Sequence, residues 1–235
     1  MTFKCNGMKK KLNIRNYPFV IIMFLMLFSG CFKNDEDLSS VTDIDGNIYM
    51  TVTIGTQVWM SQNLRTTKYR NGDPITLVTD SAQWCNLSTG AHCYYVNHTI
   101  YASSFGRLYN WYAVNDSRNI CPSGWHIPSD AEWTLLATYL GNDSLVGGKL
   151  KETGTLHWKT PNNGATNSTG WAGLPGGGRD ALGSFIGMGV DGCWWSSTAS
   201  TAIDAWSRLI LSYRAGFYRE DSDKKIGFSV RCLKN

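Results

Sequence analysis

The chain has 235 residues, with 22 Lys and Arg against 18 Asp and Glu for a formal charge of +4, and 43% of it is hydrophobic. Lys4, Lys9, Lys10, Lys11 and Arg15 all fall in the first 30 residues, which hold no acid, so the remainder carries 17 basic and 18 acidic side chains, a charge of −1. A body this close to neutral lacks the dense basic face that neutralises phosphates, which excludes nucleic-acid binding as a class.

Residues 1–30 read as a lipoprotein signal peptide. Lys9, Lys10, Lys11 and Arg15 make a basic start, and Phe19 to Phe28 is an unbroken apolar run too short for a bilayer-spanning helix, which needs about 20 residues. Met8, followed by three lysines, is an alternative start to Met1. Leu27-Phe28-Ser29-Gly30-Cys31 resembles a bacterial lipobox, with Phe28 where leucine is usual. That resemblance implies cleavage before Cys31 and acylation of it with palmitate-type chains. A cleaved signal with a chance cysteine is the competing reading. Residues 31–42, with Asp35-Glu36-Asp37, are too polar to bury and are expected to be a flexible tether. The acidic stretch resembles surface-export tags, and Phe32 in place of Asp speaks against inner-membrane retention. The expectation is an outer-membrane lipoprotein facing outward.

Residues 43–235 suffice for one domain with a real core, and no Pro- or Ser-rich linker divides them. In "DIDGNIYMTVTIGTQVWM", Ile48, Met50, Val52 and Ile54 alternate with Tyr49, Thr51 and Thr53, and Asp45-Gly46 and Gly55-Thr56 supply turns, so an antiparallel meander is expected. Asp43-x-Asp45-Gly46-Asn47 lacks the remaining ligands of an EF-hand and reads as a hairpin turn. Cys85 and Cys93 are close enough in sequence for a local bridge. Leu108, Trp111 and Tyr112 share the spacing of one helix face. Ser129-Asp130-Ala131-Glu132 is a capping box, followed by Trp133, Leu136, Ala137 and Leu140 at helical spacing and by Gly141 as a stop. "SLVGGKLKETG" is a second helix weakened by Gly147 and Gly148. Residues 155–189 form long Gly- and Asn-rich loops. "GCWWSST", "AWSRLILS", "RAGFYRE" and "KIGFSVRCL" read as strands of a terminal antiparallel sheet.

All ten tryptophans lie beyond residue 58. Filling the core is the better reading for most of them, a sugar-stacking surface the other. Beyond Cys31 there are five cysteines, Cys85, Cys93, Cys121, Cys193 and Cys232, an odd number for an oxidising compartment. No CxxC, HxxxH or HExxH motif occurs, so neither a metal nor another cofactor is expected. Cys121 with His126 leaves three readings open: nucleophile and base, metal ligands, or a staple beside a helix start.

"DIDGNIYMTVTIGTQVWMSQNLRTTKY", "LYNWYAVND", "CPSGWHIPSDAEWTLL", "GGKLKETGTLHW", "GATNSTGWAGLPGGGRD", "CWWSST" and "KKIGFSVRCL" together resemble the Fibrobacter succinogenes major paralogous domain of bacterial lipoproteins. Cys193 stands where an aromatic or polar residue is expected. More distantly, "HIPSDAEWTLLA" and "GFSVRC" resemble formylglycine-generating-enzyme-like and C-type lectin-like domains. The resemblance implies an α+β, C-type lectin-like fold with small twisted antiparallel sheets, two main helices and long ordered loops. It also implies a disulfide from Cys121 to Cys232, which makes Cys121 a staple and His126 a structural residue.

The implied function is a non-catalytic, surface-anchored lipoprotein that binds glycan or another envelope ligand. Trp158, Asn162, Asn163, Trp171, Arg179 and Asp180 in the long loops are its candidate contacts, although Arg179-Asp180 also reads as a structural ion pair. The calcium-dependent sugar motifs of C-type lectins are absent. A structural or protein-docking lipoprotein is the alternative. A formylglycine-generating enzyme is disfavoured, because that chemistry uses a close cysteine pair and only Cys193 is on offer.

Overall fold

The computed structural model describes residues 39–141 and 144–235; the signal segment, Cys31 and most of the tether lie outside them. Asp43 closes the first hairpin, its carboxylate accepting from the backbone N–H of Asp45 and Asn47, both at 2.9 Å, and from the Tyr49 hydroxyl at 2.7 Å. Gly46 takes the positive φ (83°) that the turn requires. This turn joins Ser40–Thr42 to Ile48–Ile54, and Gln57–Met60 completes the meander. The strand buries Tyr49 and leaves Ile48 58% exposed, because the tyrosine hydroxyl is drawn inward to Asp43.

Leu233–Lys234 and Trp125–His126 extend the meander into a five-stranded sheet. Leu233 pairs with both Trp59 and His126, which brings the end of the chain to its middle. The Cys121–Cys232 disulfide sits beside this junction, with Cα atoms 5.9 Å apart across 111 residues of sequence. The implied staple is present.

Asp130–Tyr139 begins with the expected capping box, Ser129 and Glu132 satisfying each other's backbone N–H, and buries Trp133 and Leu136. His126 bridges Glu132 Oε1 (2.8 Å) and Asn235 Oδ1 (2.7 Å), so it ties the helix start to the chain end. The second helix is Val146–Leu150, and its glycines serve close packing. A Cβ at Gly147 would lie 2.0 Å from the Gly216 carbonyl, and one at Gly148 would lie 2.2 Å from the Gly164 carbonyl.

Three expectations need correction. Cys85 and Cys93 are both free thiols. Residues Ser81–Cys85 wind into a helix capped by Asp80, where Cys85 donates to the Ala82 carbonyl, while Cys93 is buried in the strand Ala91–Cys93. Leu108 is paired with Cys93 in a strand, so the adjacent helix starts only at Trp111, capped by Asn110. "KIGFSVRCL" also leaves the terminal sheet, which consists of Asp191–Ala199, Asp204–Leu211 and Tyr218–Asp223. That last segment threads between other elements through single bridges, Gly227 to Arg179, Phe228 to Tyr109 and Ser229 to Trp194, before joining the first sheet.

Nine of the ten tryptophans are buried, as core filling predicts; Trp206 is half-buried beneath the Arg219 guanidinium. Between them lie buried cations: Arg231 stacks 3.7 Å from Trp171, Arg179 4.5 Å from Trp84, Lys224 4.6 Å from Trp111, and Lys151 5.4 Å from Trp158.

Replacing Cys121 and Cys232 together by serine is predicted to lower stability by about 4 to 5 kcal/mol in the chain-entropy account. Urea unfolding of the oxidised parent beside the double variant checks this.

Candidate functional site

The residues nominated from the loops do not make a face. Trp158, Trp171 and Arg179 are at most 1% exposed, and Asn162 is buried as well. Each is engaged internally. Trp158 Nε1 donates to the Gly173 carbonyl (2.9 Å), Trp171 lies under Arg231, and Asn162 Nδ2 donates to the Glu152 and Gly154 carbonyls. Arg179 donates to the Val78, Thr79 and Gly183 carbonyls and forms no ion pair with Asp180. Asp180 turns instead to the backbone N–H of Leu182 and Ser184. Asn163 is exposed, but its amide donates to the Tyr213 carbonyl. A loop this polar cannot be buried without internal partners, and these side chains are those partners.

A cleft of about 400 Å³ lies elsewhere, between the 69–76 segment, Ser88-Thr89-Gly90 and the helix Trp111–Val114 with the turn after it. Asn110 builds it: Nδ2 donates to the Thr89 carbonyl (2.8 Å), and Oδ1 accepts from Ala91 N (2.9 Å) and Ala113 N (3.1 Å), which pins the loop to the helix. Trp111 is held by its Nε1 donating to the Ser196 carbonyl (2.9 Å), and Tyr112 beside it is half-buried.

The polar end of the cleft is rigid. Arg118 lies 3.9 Å over the Tyr69 ring and donates through Nε (2.9 Å) and Nη2 (2.7 Å) to Asp116 and through Nη1 to Asp73 (3.1 Å). Those hydrogen bonds hold the Asp116 carboxyl below the usual range. The Tyr69 hydroxyl is buried yet makes no hydrogen bond of ordinary length among the described residues. Burial, followed by the Asp116 charge, pushes its pKa up to about 12, so it remains a neutral donor. It stands where a Cβ on Gly90 would come within 2.0 Å, so glycine leaves room for it in the wall of the cleft.

Aromatic side chains and a fixed carboxylate–guanidinium pair fit a polyhydroxylated ligand. Trp111 and Tyr112 of this set are legible in sequence as a helix face, and Asp116 as an end of that helix. Tyr69 and Arg118 carry no spacing signal, because only the fold brings their distant segments together.

Of the thiols, Cys121 is consumed. Burial pushes Cys93 up to about 12, and burial, with the charges of Asp191 and Glu220, pushes Cys193 up as well. No described helix is long and apolar enough to cross a membrane.

Fold and cleft together define a disulfide-stapled α+β module with an aromatic recess. The Fibrobacter succinogenes major domain matches residues 52–234, and the chain belongs to that family. The match spans the cleft and both bridged cysteines. No curated protein and no solved structure matches the chain.

Tyr69→Phe removes a single buried oxygen that makes no hydrogen bond of ordinary length among the described residues. Thermal unfolding is predicted to show stability unchanged or raised by up to about 1 kcal/mol; a comparable loss would show that the hydroxyl is bonded within the protein.

Proposed function

We propose that the protein is a non-catalytic lipoprotein, anchored to the outer membrane through acylated Cys31 and facing outward, whose C-type lectin-like domain binds glycan. The observation that carries the binding is the cleft itself, in which the half-buried Tyr112 ring stands beside the Arg118 guanidinium held by Asp116 and Asp73. The lectin-like reading is supported by the small antiparallel sheets, by the capped helix after Cys121 and by the bridge to the last strand. The non-catalytic reading is supported by two of the three free thiols: a nucleophile requires thiolate, and burial raises the pKa of Cys93 and Cys193. The anchor rests on the lipobox-like residues 27–31 and the acidic tether.

Protein docking is the second reading, favoured by an exposed apolar array. Tyr95 stacks against Phe185 (5.4 Å) and Tyr101 (5.8 Å), and beside them Ile100 is 66% and Ile186 47% exposed.

A glycan array probed with the full chain in detergent decides between them. Binding to a subset of glycans, weakened about tenfold or more (about 1.4 kcal/mol) by Arg118→Ala or Tyr112→Ala, is the expected result. No binding to any glycan, with envelope proteins recovered on the same chain, would favour docking instead.

A further inference from the structure

A second recess, also about 400 Å³, lies between the first hairpin, the 65–67 segment and the Ile100–Phe105 helix. Two arginines line it, and each is already fixed from behind. Arg107 donates through Nε to the Arg65 carbonyl (2.6 Å) and lies 4.4 Å over the Tyr94 ring. Its Nη1 is 3.4 Å from His92 Nδ1. Arginine can only donate, so that nitrogen is the acceptor of a neutral imidazole, and burial together with the Arg107 charge pulls His92 down to about 3. Arg65 donates through Nη2 to the Ile48 carbonyl (2.9 Å) and lies 4.8 Å over the Tyr49 ring.

These contacts leave Nε and Nη1 of Arg65 and Nη2 of Arg107 without a hydrogen bond among the described residues. Neither guanidinium has a carboxylate partner there. Asp45, the one acid in the lining, is taken by Lys68 (3.1 Å) and by the Thr67 N–H and hydroxyl. Two half-buried cations are therefore held rigid, with donors to spare, around an open volume.

We propose that this recess is an oxyanion site, in which Arg65 and Arg107 grip a carboxylate, sulfate ester or phosphate ester carried on a ligand. A guanidinium presents parallel N–H donors matched to such a group, and one stacked on an aromatic ring and bonded to the backbone loses little further freedom on binding. Asn47, Thr67 and Ser103 form the polar rim. The site stands independently of glycan binding in the aromatic cleft.

Isothermal titration of the full chain with glucuronate, glucose 6-sulfate and glucose 6-phosphate, and with glucose as the uncharged control, tests it. At least one acid is expected to bind saturably where glucose does not, and the acid that binds identifies the source of the oxyanion. That affinity is expected to fall as salt is raised and to drop about tenfold or more in Arg65→Gln, with Arg65→Lys in between because it keeps the charge and loses the fork. Arg118→Ala, in the other cleft, is expected to leave it unchanged, so failure of one site is readable apart from failure of the other. Acids that bind no better than glucose, or an Arg65→Gln variant that melts like the parent and binds acid equally well, would overturn the proposal.

Discussion

The Arg231 guanidinium lies at the centre of the molecule, wholly buried, with no carboxylate beside it among the described residues. It donates to the Trp171 carbonyl, to the Ala172 carbonyl at 3.0 Å and to Asn63 Oδ1 at 2.9 Å, and its plane lies on the Trp171 ring. Burial pulls its pKa well down, as it must for a charge held by dipoles alone. Asn63 continues the network: its oxygen also accepts from Trp194 Nε1 (2.8 Å), and its amide donates to the Phe105 carbonyl and the Ser229 hydroxyl. Five distant stretches of chain, at 63, 105, 171–172, 194 and 229–231, thus meet at one cation and one amide.

The same solution recurs wherever a loop is buried. Lys151 donates to the carbonyls of Asn163, Leu211 and Arg214, Lys224 to those of Thr201 and Ala202, and Arg179 to those of Val78, Thr79 and Gly183. A domain with short strands has many carbonyls that no ladder accepts, and each costs about 1 to 3 kcal/mol if buried alone. One many-donor cation satisfies several at once, and a tryptophan face shields its charge. The arrangement explains why polar loop residues disappear inside. Segment 65–69 supplies a wall to both recesses, with Arg65 and Thr67 in one and Tyr69 in the other.

Local signals were legible in sequence. The capping box at Ser129, the Asp43 turn, the tryptophan core and the order of the main elements all follow from residues within a few positions of each other. The Cys121–Cys232 bridge followed from family resemblance and not from spacing. The failures are non-local. Cys85 and Cys93 are eight apart in sequence, yet a helix cap and a strand register separate their thiols. Trp158, Trp171 and Arg179 have the chemistry of a sugar face, but whether an aromatic loop residue turns in or out depends on a buried cation more than 50 residues away, or on carbonyls 100 away. Tyr69, Gly90 and Arg118 became a cleft only through the folded backbone.

Urea unfolding of Arg231→Met beside Arg231→Lys, with the disulfide intact in both, tests the governing role of the buried cation most directly. Methionine fills comparable space, leaves the Trp171 and Ala172 carbonyls without their donor and removes one of the two donors to Asn63 Oδ1, so a loss of about 3 kcal/mol or more, or no cooperative folding, is predicted, with lysine recovering part of it. A methionine variant as stable as the parent would contradict the account, because the loops would then be held by apolar packing alone.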